Sequence, residues 1–145
     1  MKKALSVLAL FLLVSCSSSQ QSSSGPNVAI HLVPLNTSSD VYYFSGPINI
    51  QYQLTVANPT NQPIKLSRVE LQTIGSGAYV IRNTSSPMNV TIPPNSTSTF
   101  TISVWGYSRG GSMRSTEPVT IRGIGYFDAP SGPFIRMFTE NISPM

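Results

Sequence analysis

The chain has 145 residues, with nine Lys/Arg, five Asp/Glu, one histidine and one cysteine, and a formal charge of +4. That length suits one domain and is too short for two comfortable ones, and a lone cysteine excludes an internal disulfide. Two of the basic residues, Lys2 and Lys3, belong to a leader read below as cleaved, and no run of Lys or Arg remains after it. Nucleic-acid binding therefore lacks its electrostatic footprint, and no nucleic-acid partner is expected.

Residues 1–15 read as a secretory signal peptide. Lys2 and Lys3 form a charged head, and Ala4 to Val14 is apolar except for Ser6. The apolar stretch is too short to span a bilayer. Its close, Leu13-Val14-Ser15-Cys16, resembles the lipobox of bacterial lipoproteins. That resemblance implies cleavage before Cys16 and lipid attachment to Cys16, leaving a mature chain of about 130 residues. Two or more acyl chains would hold it stably in a membrane. Ser17, in place of an aspartate, implies the outer membrane in a Gram-negative cell. The expected location is thus the bacterial cell envelope, with the membrane reached through Cys16.

Residues 16–26 combine the lipidated cysteine with a Ser/Gln-rich stretch that has no apolar side chain to bury, and read as a disordered tether. Such a segment spans roughly 15–18 Å, which lifts a domain just off the headgroups.

From residue 27 to 145 the pattern is all β. Val28, Ile30 and Leu32 alternate with polar or small residues. Ile48, Ile50, Tyr52, Leu54 and Val56 alternate strictly, as a strand with one buried face requires. Asn58-Pro-Thr-Asn-Gln-Pro63 is a turn by composition. In the next segment Ile64 and Leu66 share one phase, and Val69 and Leu71 the other. A β-bulge near Ser67–Arg68, a strand buried on both faces in turn, or a short helix would each account for this, with strand preferred. Short strands are expected at Tyr79–Arg82 and Met88–Ile92. Thr99–Trp105 places Phe100, Ile102 and Val104 on one face, and 106–115 reads as a long glycine-rich loop. A closing hairpin spans Val119–Phe127 and Phe134–Ile142. Gly123 and Gly125 share a face, which suggests a bulky side chain or another backbone packed against it. Seven to eight strands at this spacing predict a two-sheet antiparallel immunoglobulin-like β-sandwich, preceded by the signal helix and the tether.

Four segments in order carry a resemblance across about residues 28–140. They are Ile50-Gln-Tyr-Gln-Leu-Thr-Val-Ala-Asn-Pro59, Pro63-Ile-Lys-Leu-Ser-Arg-Val-Glu-Leu71, Ile92-Pro-Pro-Asn-Ser-Thr-Ser-Thr-Phe100 and Ile121-Arg-Gly-Ile-Gly-Tyr-Phe-Asp-Ala-Pro-Ser-Gly-Pro-Phe134. Together they resemble the type-2 late-embryogenesis-abundant domain, also called the water-stress and hypersensitive-response domain. The resemblance implies a small two-sheet β-sandwich without catalytic activity. The chain departs from that pattern in its 106–115 segment, its short first strand and its few charges.

No catalytic constellation is legible. His31 should lie exposed on an edge, no second histidine or free cysteine accompanies it, and no serine stands in Gly-x-Ser-x-Gly. Asp40, Glu70, Glu117, Asp128 and Glu140 show no metal-ligand spacing, so no metal or cofactor is expected. The candidate binding site is Trp105-Gly-Tyr-Ser-Arg-Gly-Gly-Ser-Met-Arg114. It groups Trp105, Tyr107, Arg109 and Arg114 on what reads as a flexible loop, and these residue types dominate contact hot spots. The alternative reading makes Trp105 a cap on the core. The expected role is a non-enzymatic, lipid-anchored envelope protein that binds another envelope protein; the alternative is a lipoprotein that binds a glycan or small ligand.

Overall fold

The computed structural model describes residues 25–36 and 42–143. The signal peptide, Cys16 and the tether as far as residue 24 lie outside the described residues. Eight strands follow: β1 (Ala29–Pro34), β2 (Gly46–Asn58), β3 (Ile64–Ile74), β4 (Tyr79–Val80), β5 (Thr84–Ile92), β6 (Ser96–Ser108), β7 (Val119–Ala129) and β8 (Gly132–Ile142). They form two four-stranded antiparallel sheets, β1-β2-β6-β4 and β5-β3-β7-β8. This is the expected immunoglobulin-like sandwich.

The alternation read in β2 is the buried face. Ile50, Tyr52, Leu54 and Val56 are fully enclosed, and Val28, Ile30 and Leu32 join them from the first strand and its lead-in. The phase change in the next segment is a bulge. The register of β3 slips between Leu66 and Arg68 against both of its neighbours, so Leu66 and Val69 both face the core. Against β7 the extra residue is Ser67, against β5 it lies between Pro87 and Val90 of β5, and the helical alternative is excluded.

Asn58, at the Asn-Pro end of β2, is buried. Its side-chain amide faces the carbonyls of Gln62 (2.9 Å) and Pro93 (3.0 Å), and its Oδ1 accepts from the Thr60 hydroxyl (2.7 Å). The end of one sheet is thereby tied to the turn between β5 and β6, and every polar atom of the amide is used.

Several boundaries differ from expectation, among them the two around the crossover after β4. β4 stops at Val80 because the chain there leaves one sheet for the other: Thr73 and Ile81 exchange bonds, Thr73 N–H to Ile81 C=O (3.0 Å) and Ile81 N–H to Thr73 Oγ1 (3.2 Å). β5 then begins four residues earlier than the apolar pattern indicated, at Thr84.

The sandwich is closed along the side where β1 meets β8. Arg136 donates to the carbonyls of Gly25 (2.9 Å) and Pro26 (3.0 Å), and His31 Nδ1 lies 3.2 Å from Glu140 Oε1. Gly25 is packed against Phe134, whose ring stacks on Phe127 at 5.1 Å. Gly123 lies beneath the ring of Phe138, its cross-strand partner; a Cβ there would collide with that ring. Gly125 similarly meets Phe127 and Ile30. The two glycines of β7 make room for aromatic rings, as their shared face suggested.

Candidate functional site

The candidate segment is not one loop. β6 continues to Ser108 because β2 pairs with it residue by residue, from Asn58 opposite Ser96 to Gly46 opposite Ser108. Trp105 and Tyr107 are therefore strand residues. They point out of the same sheet face roughly 7 Å apart, two steps along the strand. Trp105 is 67% exposed and Tyr107 53%, so Trp105 does not cap the core. Opposite them on β2 stand Asn49 and Pro47. Asn49 is held in place by a bond from Ser103 Oγ (2.8 Å).

The two arginines go elsewhere. Arg109 directs a guanidinium N–H to Gly75 C=O at 3.5 Å, at the end of β3. Arg114 is exposed within a series of turns after Gly110. That segment is bonded to its surroundings rather than free. Gly111 N–H donates to Tyr43 C=O (2.8 Å), Ser115 N–H to Gly111 C=O (3.0 Å), and Ala78 N–H to Glu117 C=O (3.3 Å).

The cation that does stand beside the aromatic pair is Arg82. It lines, with Val80, Trp105, Gly106 and Tyr107, an open hollow of about 490 Å³. Local sequence gave no signal for this, because Arg82 reaches β6 only through the crossover after β4. A second hollow of about 450 Å³ lies on the other side of Trp105, between Thr84–Met88 of β5 and Thr101–Trp105 of β6. Trp105 forms the wall between the two.

A third hollow, of about 380 Å³, sits at the β3 bulge on the opposite sheet. Its charged groups are already engaged. Arg68 lies 3.9 Å over the Tyr126 ring and 3.5 Å from Glu70, Tyr126 donates to Glu70 (3.0 Å), and Ser67 donates to Asp128 (2.8 Å). His31 is exposed as expected, with Glu140 beside it. Among the described residues no three His, Cys, Asp or Glu side chains are grouped to hold a metal.

The core holds a polar feature that the alternation did not reveal. The hydroxyls of Tyr52 and Tyr79 lie 2.8 Å apart, fully buried, with the Tyr42 ring 5.0 Å from Tyr79. Burial pushes the pKa of each of these three phenols up from its ordinary value. They stay neutral across the physiological range and bond one another or the backbone, as Tyr42 does to Asn36 C=O (3.0 Å).

No protein-family model and no curated protein matches the chain. Solved structures match its fold. A protein from Bordetella pertussis assigned as ApaA superposes with a TM-score of 0.55 at 12% identity, covering 81% of this chain and 94% of its own. A protein from Archaeoglobus fulgidus gives 0.52 at 11% identity, covering 79% and 92%. A protein assigned as late embryogenesis abundant scores lower, 0.45 at 10% identity over 81% and 73% of the two chains. At these identities the first two comparisons show a shared fold alone.

Proposed function

We propose that this chain is a lipid-anchored bacterial envelope protein whose sandwich acts as a protein-interaction module, engaging another envelope protein through the Trp105–Tyr107 face. The observation that carries this reading is the pair of large aromatic side chains exposed next to each other on a rigid strand, with Arg82 beside them. Exposed aromatic area of this kind is rare unless something covers it, and Trp, Tyr and Arg are the side chains that dominate contact energy. The anchor rests on the leader and Cys16. The non-catalytic reading is supported by the engagement of Glu70 with Arg68 and Tyr126, of Asp128 with Ser67, and of Glu140 with His31.

The test is cross-linking of the full-length lipoprotein in its native membrane, followed by mass spectrometry of what co-purifies. One stoichiometric envelope protein is expected, lost when Trp105 and Tyr107 are both changed to alanine. A clean bait from the wild type would sink the reading. The anchor is tested separately: Cys16→Ala should leave the precursor uncut, and normal processing of that variant would contradict the lipobox. A second reading, glycan stacking on the two rings, is favoured by the open hollow with a guanidinium at its edge. Glycan binding by the wild type, lost in the same double variant, would select it.

A further inference from the structure

The direction of the backbone along β6 follows from bonds at its flanks. Arg109 N–H donates to Ala78 C=O (3.0 Å), on the β4 side. On β2, Gln51 turns both groups away from β6: its N–H meets Asn36 Oδ1 (2.8 Å) and its C=O accepts from Leu35 N–H (2.8 Å). In an antiparallel ladder a residue's N–H and C=O point to the same neighbour, and successive residues alternate. Even-numbered residues of β6 therefore bond β2, and odd-numbered residues point the other way. At Tyr107 those outward groups meet Val80 of β4. From Thr97 to Trp105 no strand among the described residues faces them.

Other edges of the sandwich carry features that discourage pairing. β5 has Pro87, and Asn89 at a φ of 52°. β8 carries Pro133, Arg136 and Glu140, and packs beside β1. β6, Ser96-Thr-Ser-Thr-Phe-Thr-Ile-Ser-Val-Trp-Gly-Tyr-Ser108, has no charge and no proline, and it exposes Thr97, Thr99, Thr101 and Ser103. A long, uncharged edge of β-forming residues is a template for another strand.

We infer that the open edge of β6 pairs antiparallel with the same edge of a second copy of this chain, fusing two sheets into one across a two-fold axis at Thr101. A two-fold contact sets one patch against itself, so any charge on it is repelled by its own image; this strand has none. Thr101 is the centre of the open stretch. Pairing there sets Thr101 opposite its own copy and Thr99 opposite the second copy's Ser103, and hydroxyl pairs of this kind are favourable across strands, while Thr97 stands opposite the second copy's Trp105. The end of β4 at Val80 bounds one end of the stretch and the start of β6 bounds the other. The hollow between Thr101–Trp105 and β5 leaves the space beside the edge open. This inference is independent of the aromatic-face reading, because it uses backbone groups rather than the Trp105 and Tyr107 rings.

The experiment is the protein mass of the full-length chain in mild detergent, by sedimentation over a range of concentrations. The wild type should reach twice the chain mass. Thr101→Pro removes the N–H at the axis without touching a bond to β2 and should be monomeric while still unfolding in one cooperative transition. Ser103→Lys, which adds charge to the paired edge, should also be monomeric and decides the matter if the proline variant does not fold. Tyr107→Ala should remain dimeric, which separates this contact from partner binding. A wild type that is monomeric at every concentration overturns the inference. So does a dimer that survives in both folded edge variants, or a monomer that instead takes up a strand from another protein.

Discussion

Where β1 meets β8, the gap between the sheets is bridged by side chains: Arg136 on the Gly25 and Pro26 carbonyls, His31 beside Glu140, and Phe134 over Gly25. Where β5 meets β6, Asn58 ties only the end next to the β5–β6 turn, and among the described residues no side-chain hydrogen bond or ion pair joins β5 to the Thr97–Trp105 stretch of β6. Two hollows lie there in line along a strand edge, with Trp105 between them. The contrast arises at β4. In two residues the chain pairs with the end of β6 and then crosses to the other sheet, so most of that edge has no neighbour. One side of the sandwich is finished internally, and the other keeps its backbone groups and largest exposed ring available for contact.

The core shared by both sides should give the largest effect. Tyr52→Asp places a carboxylate where the phenol is fully buried and should cost several kcal/mol, enough to abolish cooperative unfolding in a thermal melt. Breaking the closed side comes next. Arg136→Ala removes hydrogen bonds from a charged donor and should lower stability by about 1.5–3 kcal/mol in a denaturant titration. A loss as small as that of an open-side variant would mean that both sides are equally loose.

The three buried phenols supply a pH-dependent contribution. Their folded pKa values are raised above the unfolded value of about 10, so folding favours the neutral form. Their contribution is complete below about pH 10 and is lost as the pH rises above it. A melting temperature that falls steeply above about pH 10 in the wild type, and less so in Tyr52→Phe/Tyr79→Phe, is the expected result. The smallest effects sharpen the comparison between the sides. His31→Ala breaks an exposed pair and should cost less than about 1 kcal/mol. Thr101→Pro on the open edge should change stability by no more than about 0.5 kcal/mol when compared at concentrations where the wild type is also dissociated. A large loss from Thr101→Pro would mean that its N–H is already bonded within the chain.

Much of the architecture was legible because it follows from short-range pattern. Strict alternation identified the buried face of β2, the change of phase near Ser67 admitted the bulge among its readings, and the shared face of Gly123 and Gly125 called for a bulky side chain or another backbone over β7, a place the Phe138 and Phe127 rings take. The candidate site was legible in part. Its aromatic residues are exposed, but the glycines at 106, 110 and 111 made the chain after Trp105 read as loop, whereas pairing with β2 carries the strand on to Ser108. Arg82, and not Arg109 or Arg114, lines their hollow.

The sequence by itself determined the class of fold, the face each strand buries and the turns between strands, since each depends on neighbours within a few residues. Tertiary structure alone decided which strand edges are covered, where β4 abandons its sheet, and which cation stands beside Trp105. Those depend on backbone groups of residues far apart in the chain, and a backbone N–H or C=O is the same at every position, so no side-chain pattern announces where its partner will be.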